Sequence, residues 1–430
     1  MRTIRKQSLS NISEFKNQLL HWAQQFREVV FLDSNTNYNS SRKYANYDFI
    51  LAVDALTSIK TDYTNAFIDL HQYQSQTNDW LFGYLSYDLK NDIEDLKSNN
   101  NDGLQFPDLF FFQPKKLFLV KENQLEMHYL NMCDDEVDSD FEEILSSTSS
   151  FQLPTSCIIN QRISKENYLS KVEKMLEHIH RGDIYEANFC MEFYAENAVI
   201  DTLEIYKKLN IISEPPFAVY FKNNTDYLLC ASPERYLKKE GLKVISQPIK
   251  GTAKRSFDIE SDEVSKTELE NNPKERSENI MIVDLVRNDL SKTATKASVN
   301  VEELCGIYTF KQVHQMISTI VSEVENTTSP VEIIQTTFPM GSMTGAPKIS
   351  AMNIIENLEE TKRGLYSGAV GYFTPNGDFD FNVVIRSILY NFKNQYLSFS
   401  VGSAITSKSI PESEYDECLL KAKAMFEVLQ

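Results

Sequence analysis

The stretch Leu242-Lys243-Val244-Ile245-Ser246-Gln247-Pro248-Ile249-Lys250-Gly251-Thr252 alternates apolar and polar residues, runs into a proline and then meets a glycine. Alternation with a period of two predicts a strand over 242–246, and Pro248 predicts a turn where that strand ends. Pro248 fixes one backbone angle, and Gly251 lets the chain bend without a side-chain clash. Between them Lys250 is aimed in one direction instead of sweeping through solvent. A lysine in a loop is ordinarily a surface charge. What lies around it decides otherwise.

Just upstream, Phe217–Phe221 and Tyr227–Ala231 predict a hairpin across Asn223-Asn224-Thr225-Asp226, closed by Ser232-Pro233-Glu234-Arg235. Ile184–Cys190 predicts another strand. Before it, Ser164 can cap a helix whose apolar stripe is Tyr168, Val172, Met175, Leu176 and Ile179 and which Gly182 ends. Downstream, helices at about 273–288, 347–359 and 411–428 interleave with strands at about 368–373, 380–390 and 396–402. The fold class is α+β, a layered sandwich of mostly antiparallel sheets flanked by helices.

The first part of the chain is strand-rich. A helix over 12–25 precedes a strand at Val29–Leu32, and further β-type runs come at Trp80–Leu89, Leu109–Phe112, Leu117–Lys121 and Leu125–Leu130. Asp134–Ser150 is acidic and then serine-rich, and predicts a linker. It divides a strand-rich part, 1–150, from a catalytic part, 151–430. No internal repeat is visible.

With 430 residues, the chain can bury a substantial core. Its net charge of −18 repels a nucleic-acid backbone or an anionic membrane, so neither is an expected partner. An anionic substrate needs a local cation. Cys133, Cys157, Cys190, Cys230, Cys305 and Cys418 have no CxxC spacing and predict reduced thiols of a cytoplasmic protein. The basic Met1–Lys6 is not followed by an apolar signal segment, and no run reaches the ~18 apolar residues of a membrane span.

Two helices each carry two glutamates three residues apart. Asn272 and Pro273 open the first, placing Glu275 and Glu278 on one face; Pro411 opens the second, where Glu414, Glu417 and Lys421 share a face. E-x-x-E pairs are usually solvated, but Ile280–Val286 and Cys418–Phe426 are apolar nearly all round, so these helices are buried. Four glutamates converging at their ends need a cation, and oxygen-only ligands point to Mg²⁺. Phe338–Lys348 is a glycine loop opening a helix, with Ser342 within it. Gly402-Ser403-Ala404 follows a strand and can offer amides to a carboxylate. Arg386, inside apolar Phe381–Leu389, is a costly charge unless it meets an anion. Tyr366 lies between Gly364 and Gly368 and can reach into a cleft. Together these residues describe a pocket for a small dicarboxylate.

The chain resembles the chorismate-utilising enzymes, which include component I of anthranilate synthase and of aminodeoxychorismate synthase and the isochorismate and salicylate synthases. The resemblance is carried by Gly182–Asn188, Ser232–Arg235, Pro248–Thr252, Glu278–Leu290, the glycine loop at 338–348, Arg363–Tyr372, Asp380–Arg386 and Glu414–Glu417. Gly83–Leu89 extends it into the N-terminal part. Anthranilate synthases usually have alanine where this chain has Lys250, and the lysine form resembles the aminodeoxychorismate synthase branch. The resemblance implies that chorismate and ammonia give 4-amino-4-deoxychorismate, on the route to p-aminobenzoate and folate. Ammonia would come from a separate glutamine amidotransferase subunit in a heterodimer. The alternative is an anthranilate synthase component I.

The implied roles follow residue by residue. Mg²⁺ would be held by Glu278 and Glu417, with Glu275 and Glu414 behind them. Arg386 and Tyr366 would hold the enolpyruvyl carboxylate, with Gly402, Ser342, Thr252 and Lys421 also at the substrate. Lys250 would attack ring carbon 2 while Glu234 protonates the departing 4-hydroxyl. From a free-lysine pKa near 10.4, freeing the amine at pH 7 costs roughly 4.6 kcal/mol, so the Lys250 pKa is expected lowered and that of Glu234 raised. This chain departs from the family pattern at Gln315, where many members have histidine, with His314 one place off. It departs again at Gly402–Ala404, which is less glycine-rich, and at Glu186, where the water-using branches have lysine. Phe31-Leu32-Asp33-Ser34 is a faint echo of the tryptophan site of feedback-regulated relatives.

Overall fold

A computed structural model of the protein describes residues 1–35, 42–147 and 155–430. Its framework is antiparallel. Phe49–Thr61 pairs with Leu109–Lys121 along 13 residues each, and the latter turns through Glu122 and Asn123 into Gln124–Leu130, whose outer neighbour is Arg2–Ser8. The expected hairpin is present as Phe217–Asn223 with Asp226–Ser232. Side chains alternate between two cores, as strand geometry demands. Val29 and Phe31 enter one cluster with the helices Ile12–Trp22, Lys165–Arg181, Thr202–Ser213 and Pro411–Leu429; Val30 enters a second, rich in aromatic rings. Helices flank the sheet as expected.

Two backbone seams cross residue 150. Glu28–Asp33 pairs with Phe217–Asn223, and Leu81–Leu85 pairs with Ala369–Phe373. The N-terminal strands and the strands near the lysine stretch therefore share hydrogen-bond ladders. At the second seam Gly83 faces Gly371.

Several sequence expectations change. Asp134–Ser146 is not a linker: Val137–Ser146 is a helix against Ile12–Trp22, with Val137 and Ile144 in the core. Val137, Phe141 and Ile144 recur at helical spacing, so the acidic residues between them are its solvent face. The rest of that segment, Thr148–Ser150, lies outside the described residues. Leu109–Phe112 and Leu117–Lys121 merge into one strand, which accommodates Pro114 opposite a register shift at Ala55–Thr57. The strand in Trp80–Leu89 is confined to Leu81–Leu85. The turn expected at Gln247–Thr252 is a strand too: Lys243–Gln247 passes through Pro248 into Ile249–Lys254.

A Cβ added at Gly83 would lie 2.0 Å from the Phe110 carbonyl oxygen and 2.7 Å from Phe111 Cα, both backbone atoms. Gly83→Ala should cost about 1–3 kcal/mol by overpacking the seam. The check is urea unfolding, where the midpoint falls and the slope stays constant.

Candidate active site

Lys250 owes its placement to a distorted strand. Ile249–Lys254 pairs with Val313–Glu323, the register shifts between Ile249 and Thr252, and Gly251 sits at φ +96°. A positive φ suits glycine and bends the strand at this point. Asn279, buried in the helix Pro273–Ser291, donates to the Lys250 and Met316 carbonyl oxygens at 3.3 and 3.2 Å. The lysine backbone is thus pinned to the helix carrying Glu275 and Glu278. That helix starts as expected, with the Asn272 side chain accepting from the Lys274 and Glu275 amides.

The Lys250 side chain is 13% exposed, and its Nζ lies 3.0 Å from Oε1 of Glu186, which is 2% exposed. Burial alone would push the ammonium pKa down, but Glu186, Glu278 and Glu417 outweigh it and hold it above the usual lysine range. The expected lowering is therefore absent here. Sequence reasoning did not foresee the partner. Its signal was alternation along Glu186–Ala195: Ala187, Phe189 and Met191 enter the first core, so Glu186 and Asn188 project to the other face.

Glu234 behaves as expected. It lies between Asp226–Ser232 and Arg235–Glu240, and Ser342 Oγ donates to its Oε1 at 2.7 Å. Burial pushes its carboxyl up to about 7, with the Ser342 bond and the charges of Lys250, Arg386 and Lys421 pulling the other way. Arg386 breaks the expected 380–390 strand in two, Phe379–Val383 and Ser387–Asn391, with φ +50° at the break. Among the described residues its guanidinium makes no ion pair; burial holds its pKa below the usual range and Glu234 raises it. A half-buried guanidinium without an ion-pair partner is a site for an anion.

Gly402 pairs with Cys190, and an added Cβ there would lie 2.6 Å from the Cys190 sulfur. The same thiol donates to Tyr366 Oη at 3.8 Å, and Lys421 Nζ donates to the Gly402 carbonyl at 2.7 Å. Tyr366, Gly402 and Lys421 are therefore neighbours. Thr252 is brought to Gln315 by the strand register, with its side chain exposed. His314 is buried between Thr309 and Asp262 and does not substitute for the histidine of the family pattern.

Glu275, Glu278 and Glu417 share one field with Lys250. Burial raises Glu278 to about 7 and raises Glu275, while Lys421, 2.7 Å from Glu417 Oε1, outweighs burial and holds Glu417 below the usual range. Glu414 is buried near Tyr168, whose phenol it helps to raise, and is not among the leading charges on the other three. Among the described residues no three acidic, histidine or cysteine side chains stand within reach of one metal ion. Glu278 Oε1 is nonetheless buried without a hydrogen bond, its nearest cation being Lys274 at 3.8 Å. That orphaned oxygen in an oxygen-only set fits a hard cation.

Elsewhere, Leu32, Asp33 and Ser34 line a cavity with Arg235, Gln247 and Tyr372, while Phe31 of the same stretch packs into the first core. All six cysteines are free, and no helix among the described residues is long and apolar enough to cross a membrane.

The family model described as chorismate binding enzyme matches residues 23–427. A probable chloroplastic aminodeoxychorismate synthase of rice (Oryza sativa subsp. japonica) is 33% identical over 418 residues, covering 88% of this chain and 45% of the relative. The chain thus spans less than half of that relative's length. Aminodeoxychorismate synthase component 1 of Bacillus subtilis is 34% identical, with 81% and 76% of the two chains covered. Relatives named anthranilate synthase component 1 match at nearly the same level, 32%. The crystal structure of anthranilate synthase component I from Streptococcus pneumoniae superimposes with a TM-score of 0.78 at 23% identity, over 87% of this chain and 91% of that one.

Because Glu234 binds its proton more tightly in the fold than its ordinary pKa of 4.5 allows, its contribution to stability is complete below pH 4.5 and is lost as pH rises through about 7. Glu234→Gln avoids that loss. It should be more stable than the wild type by about 3 kcal/mol at pH 8 and equal to it near pH 4, as read by denaturant unfolding at the two pH values.

Proposed function

The chain belongs to the family of chorismate binding enzymes, and on that premise we propose that it is an aminodeoxychorismate synthase component I. It would convert chorismate and ammonia to 4-amino-4-deoxychorismate. The observation that carries the reading is Lys250 itself: a primary amine fixed in a buried site within the field of an acid, Glu234, whose carboxyl is held near neutrality. Anthranilate synthesis is the second reading, favoured only by the similar identity of relatives bearing that name.

Arg386, which shares the field of Glu234 with Lys421, and the neighbours Tyr366 and Gly402 would take the substrate carboxylates. Lys250 would form a bond to ring carbon 2 while Glu234 gives its proton to the departing 4-hydroxyl. Ammonia would then bond to carbon 4 and expel the lysine. Glu234, near pKa 7, would hold a transferable proton at neutral pH, and Ser342 fixes which oxygen carries it. Glu278 and Glu417, with Glu275 behind, are the residues that would hold Mg²⁺; the ion would neutralise the ring carboxylate and polarise the ring. Glu414, buried and not among the leading charges on the other three, would join only through rearrangement. The relatives' names support the ammonia reaction, and a glutamine amidotransferase subunit would be its natural ammonia source.

Incubation with chorismate, Mg²⁺ and an ammonium salt at mildly alkaline pH should give a product that retains its enolpyruvyl group, identified by mass spectrometry. Anthranilate with pyruvate would establish the second reading instead. Lys250→Ala should lose at least about 10³-fold in turnover, since the amine is the nucleophile. An unchanged rate would remove the covalent route. Chelation should abolish turnover, with recovery on adding Mg²⁺ and none on adding monovalent salt.

A further inference from the structure

The nucleophile in this site is stored in the wrong protonation state. An ammonium has no lone pair, and the carboxylates around Lys250 hold it as one. The groups facing it are Glu186 on Glu186–Ala195, Glu275 and Glu278 on Pro273–Ser291, Glu417 on Pro411–Leu429 and Glu234 on its turn. Among the described residues only Glu186 lies within 4.0 Å of its nitrogen. The backbone of Glu186 is held on both sides, by Ala346 and by Thr406, so its carboxylate has a fixed origin. Oε1 meets the ammonium at 3.0 Å, while Oε2 is buried with no hydrogen-bond partner among the described residues. A carboxylate only accepts hydrogen bonds, so the oxygen against the ammonium lies where a proton can pass to it directly, and the other has no competing donor among the described residues.

We propose that Glu186 is the base that takes the proton from Lys250, an inference that rests on the lysine-adduct reading. The Lys250 ammonium passes one proton to Glu186. The freed electron pair forms the nitrogen–carbon 2 bond, both ring double bonds move one place (to carbon 1–carbon 6 and carbon 4–carbon 5), and the carbon 4–oxygen bond breaks, with the proton of Glu234 leaving in water. When ammonia bonds to carbon 4, both double bonds shift back and the carbon 2–nitrogen bond returns its pair to Lys250. Glu186 restores the lysine proton, and Glu234 regains its own from the new ammonium group. The balance is chorismate plus ammonia giving aminated product plus water, with no other reactant. A lysine at position 186, as in the water-using branches, could not accept this proton in its charged form. A carboxylate there and an amine at 250 make one unit.

The test follows the first half-reaction alone. Wild type and Glu186→Gln are mixed rapidly with chorismate and Mg²⁺ without ammonia, quenched, and weighed intact for an added chorismate less one water. Peptide mapping places the addition on Lys250. The variant-to-wild-type rate ratio cancels the titration of Glu234. Glu186→Gln should stand at least about 100-fold down at pH 7, and the ratio should rise roughly tenfold per pH unit from about pH 6.5 to 8.5, as bulk water replaces the lost base. Glu186→Asp should recover about a tenth or more of the wild-type rate, and chorismate affinity should stay within a few-fold in both. A ratio near one at every pH overturns the proposal, and so does a lowered ratio without pH slope, which would mark a purely structural role. A wild type that aminates chorismate yet never carries the added mass overturns the lysine adduct itself and this proposal with it. That outcome is seen without any variant.

Discussion

One buried guanidinium holds the floor of the site together. Arg363 is 6% exposed, grips both oxygens of Glu359, and donates to the Met343 and Asn188 carbonyls at 2.6 and 2.7 Å. Glu359 in turn accepts from the Cys190 amide at 2.8 Å, and the guanidinium lies over the Tyr87 ring. Taking such a charge out of water costs several kcal/mol, and it is tolerated only when its hydrogen-bonding directions are filled. Filling them forces four segments into register: the glycine loop, the strand from Glu186, the end of the helix Lys348–Leu358 and the N-terminal Tyr87. Ser342 is one residue from Met343, so the clamp also sets where the bond to Glu234 originates. The same strand places Glu186 against Lys250 and Cys190 against Gly402 and Tyr366.

Within that frame the site has two electrical halves. Arg386 stands with Glu234 on one side, Glu186, Glu275, Glu278 and Glu417 surround Lys250 on the other, and Lys421 lies between them, paired with Glu417 and within the field of Glu234. A chain of net charge −18 repels a dianion at long range. Screening confines that repulsion to about 8–10 Å, so nearby charges decide. An unpaired guanidinium receives one carboxylate. In the acidic half burial raises the carboxyls, as Glu278 shows at about 7, with the charges of Glu275 and Glu186 adding to it. A divalent cation would reverse the sign of that half and would also relax the hold of Glu278 and Glu417 on the Lys250 ammonium, leaving Glu186 as its main counter-charge.

Much of this was legible because it is local. Helix caps at Ser164, Asn272 and Gly182 and the 217–232 hairpin are written in neighbouring residues and appear where expected; the helices after Glu278 and Glu417 form too, but each buries only one face and leaves Ile280, or Leu419 and Leu420, exposed. Helical spacing in Val137–Ser146 was also present and was hidden by its acidic composition. Composition misleads when a helix buries only a narrow stripe. The turn at Lys250 failed for a different reason. Pro248 and Gly251 normally end a strand, but here Val313–Glu323 supplies a ladder that carries the chain past both, at the cost of a register shift. That ladder comes from 60–70 residues downstream, beyond any local pattern.

The least legible feature is the one on which the chemistry turns. Glu186 and Lys250 are 64 residues apart, and neither has a neighbouring residue that announces the other. Spacing can show that four glutamates share helix faces. It cannot show which of them reaches the lysine, because that depends on how three strands and two helices close. The result reverses the simplest expectation: a nucleophilic lysine in a dry site ought to have a lowered pKa, and burial does push it down, but the carboxylates win. A resting ammonium is no obstacle to nucleophilic attack if an acceptor stands within hydrogen-bond distance. It also keeps the amine unreactive toward stray electrophiles until substrate arrives. On the proposed reading, storage and release would reside in the same 3.0 Å contact between Glu186 and Lys250.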